Sequence, residues 1–485
     1  MLEVRVVDKK EKNVSRDNKF IIYNSIEIIG KTNKSAELPK RDITEEALAS
    51  VLSDRDTIYI LRGMRRTGKT TALYQMANYL AKDGFTVGYV SVRYMLGKKI
   101  HYSELEDLVT KLFSNYDYLF IDEYSYLEDG LENLRNLYDS MKGVKLVITG
   151  SDSLALTEPL LCKENIFRVS YSNLSRVSYK ELNRLLGVTS LDDNRVYYGT
   201  LVGVSEDGNE SVSKNWLNLS IISNIANSIR KSEILQSKYK GINRVLCKTQ
   251  DNSFLEACVY DVLVSVALDR SIFCSNSFNY LKNISQVEKD VVKSILGVDN
   301  IDNYFRYKYR QRLKNEVIEV LCKLGVLEPI DLYTNSMSSG AIEVKNIITL
   351  PYIYDTILRV CKFVCDNASE DISVVDHYLE NVIIGNVIIT HPEYRVSMAR
   401  YKHTSFELDM IIEKNDGKAL FYEIKNTDKR NKNINYVSRK DLLDNFSNTV
   451  YEAFILYNGI KRKVNYAEYN HILSYVNISN FLLSL

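Results

Sequence analysis

The chain has 485 residues, 45% of them hydrophobic, enough for about three domains with cores of their own. Its 63 Lys and Arg are balanced by 62 Asp and Glu, so the net charge of +1 gives no global basic field for nucleic acid and leaves room only for a local patch. No run of about eighteen apolar residues occurs, so no transmembrane helix and no membrane partner are expected, and the charged start from Met1 to Lys12 lacks the apolar stretch of a secretion signal.

Residues 1–40 are polar apart from Phe20-Ile21-Ile22-Tyr23, and read as an N-terminal arm packed on the first domain. Asp42 to Leu52 reads as a helix. Ile58-Tyr59-Ile60-Leu61 reads as a buried strand, and Thr71 to Ala77 as the start of a helix. Between them lies Gly63-Met64-Arg65-Arg66-Thr67-Gly68-Lys69-Thr70, which fits the phosphate-loop pattern G-x-x-x-x-G-K-[ST] in the right strand–loop–helix context. The backbone N–H groups of such a loop and the helix N-terminus cradle a polyphosphate. Lys69 would reach the β- and γ-phosphates, and Thr70 would ligate Mg²⁺, with Thr71 beginning the helix beside them. ATP and Mg²⁺ are therefore the expected cofactors.

A strand at Phe85–Val90 comes next, and then Tyr118-Leu119-Phe120-Ile121-Asp122-Glu123, an apolar strand ending in two carboxylates. Asp122 can hold Mg²⁺ through water, and Glu123 can polarise a water for attack on the γ-phosphate. Kinases on this loop need no such glutamate, so the pair points to hydrolysis. The strand Lys145-Leu146-Val147-Ile148-Thr149 leads into Gly150-Ser151, where Thr149 or Ser151 could contact the γ-phosphate or serve only as a strand-end turn. Phe167–Tyr171 reads as the last strand. Ser178 and Glu181 fit a capping box opening a helix. Strands alternating with helices from about 41 to 186 imply an α/β core with a mostly parallel sheet.

Residues 187–284 read as mainly helical, interrupted by a polar loop at 205–213. Residues 285–350 read as a winged-helix outline, with the amphipathic helix Gln311 to Leu324 stopped by Gly325. Asn303 to Arg312 interleaves tyrosines with basic residues, which suits either stacking on bases or tyrosines half buried in a core. The seven cysteines, at 162, 247, 258, 274, 322, 361 and 365, include no C-x-x-C pair and read as reduced thiols of a cytoplasmic protein.

Residues 370–485 read as a separate small α/β domain. Phe406–Ile412 and Ala419–Lys425 flank a turn at Asn415-Asp416-Gly417, with Gly417 in the left-handed position. That turn pairs Lys414 with Lys418 and, counting outward, Asp409 with Glu423; Lys425 faces the same side. Two carboxylates opposite each other repel, and a Mg²⁺ ion between them would relieve the cost. Glu380, on an expected helix from Val374 to Ile389, could add a third carboxylate. Asp followed by Glu-x-Lys is also the pattern of an ordinary solvent-facing hairpin. The Lys/Asn/Arg-rich stretch from Asn426 to Asn435 reads as a solvated loop.

Taken together, these stretches resemble the prokaryotic AAA-type (P-loop, ASCE-like) ATPases that carry a C-terminal PD-(D/E)xK nuclease-like domain. The residues that carry the resemblance are Arg62 to Thr71, Phe120 to Glu123, Ile148 to Ser151, Arg168 with Ser178 to Leu182, Glu380-Asn381, Glu407 to Asp409 and Tyr422 to Lys425, in the family's order. The resemblance implies a P-loop NTPase sheet, a helical lid, a winged-helix segment and a restriction-endonuclease-like end. It also implies a hydrolase whose Asp409, Glu423 and Lys425 would act on DNA, with Arg168 as an arginine finger toward its own or a neighbouring subunit's nucleotide, or else a structural ion pair. Met64 departs from the pattern, where a small residue or proline is frequent. The lid's Gly-Gly-Pro turn is only echoed at Tyr198-Gly199-Thr200. Two readings remain open: an ATPase that controls a nuclease-like, DNA-interacting module, and a STAND-like switch or scaffold with an inactive nuclease fold, in either case suited to phage or mobile-element defence. A homo-oligomer or a partner protein fits both.

Overall fold

The computed structural model describes residues 19–31, 38–53, 57–64, 67–93, 100–130, 133–150, 154, 156, 168–173, 177–189, 218–247, 252–267, 290–291, 311–334, 342–350, 353–354, 356–357, 377–401, 406–425, 450–457, 462–466 and 471–485. Arg65, Arg66, Ser151, the loop at 205–213, the tyrosine-rich stretch at 303–310, Tyr198-Gly199-Thr200 and 426–435 lie outside them. The chain divides into two compact units, Met1–Leu174 with Asn227–Ser237, and Ser175–Ala226 with Lys238–Leu485.

The first unit is built on six strands in the order β1-β3-β5-β7-β2-β8. They are β1 (Phe20–Tyr23), β2 (Thr57–Arg62), β3 (Val87–Val92), β5 (Tyr118–Asp122), β7 (Lys145–Thr149) and β8 (Arg168–Asn173). The short β4 (Ile100–His101) and β6 (Leu127–Glu128) pair separately. All pairings in the main sheet are parallel except that of β1, which runs antiparallel along β3 at the edge of the sheet.

A parallel sheet covered on both faces needs apolar residues at every position of its strands, and period-two alternation then sorts them. Ile58, Ile60, Leu119, Ile121, Leu146 and Ile148 enter one core with Leu105, Val109 and Leu137. Tyr59, Leu61, Val87, Tyr89, Tyr118, Phe120 and Val147 enter the other, with Leu73, Met76, Ala77 and Leu80 of the helix Lys69–Lys82. Residues that continue the second set therefore face that helix. Asp122 extends the Tyr118–Phe120 series, and Thr149 extends Val147.

The second unit is an eight-stranded mixed sheet, ordered β10-β9-β11-β12-β13-β14-β16-β15. Its strands are β9 (Leu327–Thr334), β10 (Ile342–Ile348), β11 (Arg395–Tyr401), β12 (Phe406–Glu413), β13 (Lys418–Ile424), β14 (Val450–Tyr457), β15 (Arg462–Tyr466) and β16 (His471–Asn477). One core runs beneath it, with Ile330, Leu332, Met410, Ile412, Tyr422 and Leu456 from strands and Tyr179, Leu182, Ile383, Val387 and Phe481 from helices. The helix Gln311–Lys323 ends at Gly325, whose φ of 69° is the left-handed stop expected there.

The organisation differs from the sequence reading in two respects. The β9–β10 hairpin after that helix is not a free wing: β9 also pairs in parallel with β11, which fuses the hairpin into the C-terminal sheet. The described helices of 187–284 do not form one separate lid, because Asn227–Ser237 belongs with the first unit and the flanking segments with the second. Both differences depend on long-range pairing, which local pattern does not encode.

Gly88 on β3 sits under the ring of Phe113; a Cβ there would lie 2.5 Å from Cδ1 and 2.7 Å from Cε1. Phe113 is 3% exposed and has little room to yield. Gly88→Ala is expected to destabilise the first unit by about 1–3 kcal/mol through overpacking, read as a lower denaturant midpoint.

Candidate functional site

The phosphate loop joins the end of β2 to the helix Lys69–Lys82. Gly68 stands at the N-cap with φ 91°, a conformation that side chains rarely adopt, and its carbonyl takes the Ala72 N–H at 2.8 Å to start the helix. Thr67 Oγ1 donates to Met64 O at 2.9 Å, folding the loop on itself. Arg41, 6% exposed, donates from a guanidinium nitrogen to Thr67 O at 2.9 Å and braces the loop from outside it. Lys69 is 7% exposed, and its ammonium donates to Gly63 O at 2.9 Å and Met64 O at 2.7 Å. A buried cation is thus held against the carbonyls of its own loop.

Asp122 ends β5, which is separated from β2 by β7. Its carboxylate is 4% exposed and accepts three hydrogen bonds. Oδ2 accepts from Thr70 Oγ1 at 3.0 Å and from the Tyr89 hydroxyl at 3.0 Å, and Oδ1 accepts the Glu123 N–H at 3.1 Å. The helix hydroxyl and the strand carboxylate are thus in direct contact across 52 residues of sequence. Burial, and then the charge of Glu123, push the Asp122 carboxyl up to about 6, against the opposing pull of Thr70, Tyr89 and Lys69. A carboxylate uncomfortable in its own site, beside a hydroxyl, suits a divalent cation that also takes phosphate oxygens and water.

Glu123 leaves the strand in the left-handed region, at φ 57°. For a non-glycine residue this costs on the order of 1 kcal/mol, and such strain clusters at functional sites. It turns the chain into the short helix Tyr124–Tyr126, half-burying Glu123. Lys231 fixes that turn, donating to Ser125 O at 2.9 Å with its ammonium 5.6 Å from the Tyr126 ring. Thr149 ends β7 beside Leu61, fully buried, and its Oγ1 makes no hydrogen bond. It lies on the face that carries the loop helix, where a γ-phosphate contact was expected.

Tyr89 was not identified from sequence as more than part of a strand. Its hydroxyl reaches Asp122, and its ring stacks on Tyr74 at 4.5 Å and on Tyr23 at 5.8 Å. The signal was its alternation with Val87 on the face that carries Asp122. Arg41 gave no signal, because its role depends on where the helix Asp42–Ser53 packs.

The register places Arg168 along its strand. It pairs with Thr57, while Arg62, next to the loop, pairs with Asn173. Five strand residues, about 16 Å of backbone, therefore separate Arg168 from the loop end of the sheet.

In the second unit the hairpin has the register that its turn dictated. Gly417 has φ 80°, Lys414 N donates to Lys418 O at 2.9 Å, and Met410 faces Tyr422. The ladder ends at that pair, one residue short of Asp409 and Glu423, and β12 shifts register against β11 between Ile411 and Leu408; the charges of Glu423, Glu380 and Lys425 all act on Asp409. Asp409 is 5% exposed and accepts the Ile424 N–H at 2.7 Å. Its carboxyl lies well above the usual range, through burial and then the charges of Glu423 and Glu380. Lys425 Nζ lies 2.5 Å from Glu423 Oε1. Burial works to lower the Lys425 ammonium, but Glu423, Asp409 and Glu380 outweigh it and raise it.

The expectation of a three-carboxylate metal set at Glu380, Asp409 and Glu423 needs correction. Among the described residues no group of three or more His, Cys, Asp or Glu side chains is placed to hold a metal ion. Lys425 and the Ile424 amide already answer one oxygen of Glu423 and one of Asp409.

Residues 55–183 match the family model described as an AAA domain. This stretch contains the loop, Asp122-Glu123, Thr149 and Arg168, and it identifies a nucleotide-binding ATPase domain within the chain. No curated protein matches the chain. Among solved structures, the ORC1 protein of Aeropyrum pernix in complex with DNA is 14% identical, over 72% of this chain and 97% of that one, with a TM-score of 0.25. AMPPCP-bound DnaA from Aquifex aeolicus is 11% identical, over 58% and 86%, with a TM-score of 0.24. The S. cerevisiae Hsp104–ADP complex is 14% identical, over 61% and 66%, with a TM-score of 0.27. Likeness at these scores carries no weight beside the family match. Among the described residues no helix is long and apolar enough to cross a membrane.

The raised Asp122 carboxyl has a consequence for the metal-free protein. In the fold it holds its proton up to about pH 6, and in the unfolded chain only up to about pH 4. The fold thus bears the cost of a buried charge above pH 6, and loses that cost as pH falls from 6 to 4. In EDTA, Asp122→Asn should be more stable than the wild type at pH 8, by up to about 3 kcal/mol. The difference should vanish by pH 4, as read by thermal melts across that range.

Proposed function

We propose that the first unit binds and hydrolyses ATP with Mg²⁺. The observation that carries this reading is the direct contact of Thr70 and Asp122 beside the buried Lys69. The loop's Gly63, Met64, Thr67, Gly68 and Thr71 would surround the phosphates. Lys69 would exchange its two carbonyl partners for phosphate oxygens. Thr70 and Asp122 would hold the metal, which when bound neutralises charge on the β- and γ-phosphates. Glu123 would orient the attacking water and take its proton, while the Thr149 hydroxyl would find a partner in the γ-phosphate or that water. Arg168, at the end of β8 away from the loop, would serve a neighbouring subunit's nucleotide more readily than its own, or form a structural ion pair.

The second unit would then be a nuclease-like module that interacts with DNA under control of the nucleotide state. The carboxylates of Asp409 and Glu423, with Lys425 in contact with Glu423, support this reading. Cleavage would require a divalent ion on Asp409 and Glu423, completed by water, with Lys425 released from Glu423 to face the scissile phosphate. The contact of Lys425 with Glu423, which would have to break before any cleavage, supports a second reading. In it the same fold binds without cutting, and the chain acts as a nucleotide-set switch.

Lys69→Ala should abolish ATP binding, measured by isothermal titration. Glu123→Gln should retain binding and lose phosphate release by about 10²-fold or more. Wild-type turnover in both variants would sink the ATPase reading. Incubation of the full chain with DNA and Mg²⁺ or Mn²⁺, with and without ATP, separates the two readings of the second unit. Cleavage that disappears in Asp409→Ala supports the nuclease, whereas binding without cleavage supports the switch.

A further inference from the structure

The last strand at one end of the second unit's sheet is β10, Ile342–Ile348, and among the described residues no strand lies beyond it. Its two most exposed apolar side chains are Ile342, at 42%, and Val344, at 67%. An open strand edge bearing exposed β-branched residues is a template for pairing with another strand.

The ladder to β9 shows which backbone groups point outward. Thr349 N donates to Val326 O at 3.1 Å, one step past the Ile348–Leu327 pair, so Thr349 stands at a hydrogen-bonding position of the ladder, although the Val326 N–H itself donates to Leu321 O. Antiparallel ladders alternate. Glu343, Lys345 and Ile347 therefore direct their N–H and C=O groups to β9. Ile342, Val344 and Asn346 direct theirs away from it.

In the sequence across this edge, Ile342-Glu343-Val344-Lys345-Asn346, the opposite charges of Glu343 and Lys345 lie symmetrically about Val344, so they meet when the segment is reversed about it. We propose that β10 pairs antiparallel with β10 of a second copy of this chain, about a two-fold axis at Val344, making one continuous sheet. Val344 then exchanges two hydrogen bonds with the partner's Val344. Ile342 and Asn346 do the same with the partner's Asn346 and the partner's Ile342. Glu343 falls opposite the partner's Lys345, and Lys345 opposite the partner's Glu343, at the close, non-hydrogen-bonded positions where cross-strand charges interact most. The two Val344 side chains cover each other.

Neighbouring registers are disfavoured by charge. An axis at Glu343 or at Lys345 sets like charges face to face, and parallel in-register pairing does the same at both positions. Among registers within one residue of Val344 the charges thus favour this one, and they do so with the same patch on both copies, as a two-fold interface requires.

Sedimentation velocity from about 1 to about 200 µM, the range of weak interfaces, tests this on the full chain. The wild type should pass from monomer to dimer. Val344→Pro should be monomeric but folded, because the lost N–H points away from β9 and an edge strand tolerates proline at such a position. Lys345→Glu should be monomeric through Glu–Glu repulsion, and Glu343→Lys combined with Lys345→Glu should restore the dimer by exchanging the charges. Circular dichroism melts verify folding of each variant. A wild type that stays monomeric throughout overturns the proposal, as does a dimer that persists in folded Val344→Pro and Lys345→Glu. So does a folded charge-exchange variant that stays monomeric.

Discussion

The first unit depends on one buried carboxylate. Asp122 sits at the end of β5 with three hydrogen bonds, to the Thr70 hydroxyl, the Tyr89 hydroxyl and the Glu123 amide. These tie the loop helix, strand β3 and the turn after β5 to a single group. Each donor partly offsets the cost of removing that charge from water, yet the carboxyl is still pushed up to about 6. A site that keeps an anion only partly satisfied is poised to prefer its metal-bound state. The same compromise explains the order of the sheet: β7 between β2 and β5 sets the carboxylate at a distance from the loop strand, and the first turn of the helix closes the gap.

The second unit carries a related compromise with a different answer. Asp409, Glu423 and Glu380 place like charges near one another, and the carboxyl of Asp409 rises in consequence. Lys425 and the Ile424 amide meet part of that cost from within the protein. In the first site the contacts of Lys69 are to loop carbonyls, which a phosphate readily replaces. The second binds its lysine to a carboxylate, a stronger charge-assisted contact. Any chemistry on DNA would first have to loosen that contact.

Much of the sheet was legible because the signals were local and redundant. Continuous apolar runs bounded by loops marked β2, β5 and β7. The glycine at 68 and the Lys69–Thr70 pair marked a loop whose chemistry admits few alternatives. In the hairpin, Gly417 fixed the turn, and the turn fixed the register. The gaps arose where a local pattern was asked a long-range question. Arg168 was assigned by its place in the order of motifs, but its position along β8 comes from parallel pairing with β2. The helix stopped by Gly325 and its hairpin look like a winged helix until β11 joins β9. Tyr89 is an unremarked tyrosine in a strand until β3 is laid beside β5.

The sequence alone determined the loop, the two carboxylate-bearing strands and the turn register of the hairpin from Glu413–Ala419 to Met410–Tyr422, since each rests on neighbours within a few residues or on one tight turn. Tertiary structure alone decided which groups satisfy those charges: Tyr89 and Thr70 for Asp122, Lys69 for the loop carbonyls, Arg41 for Thr67, Lys425 for Glu423. It also decided that β10 comes last in the sheet among the described residues. Hydrogen-bond partners and strand edges are properties of what packs against what. A chain fixes those only when segments hundreds of residues apart have settled their order in one sheet.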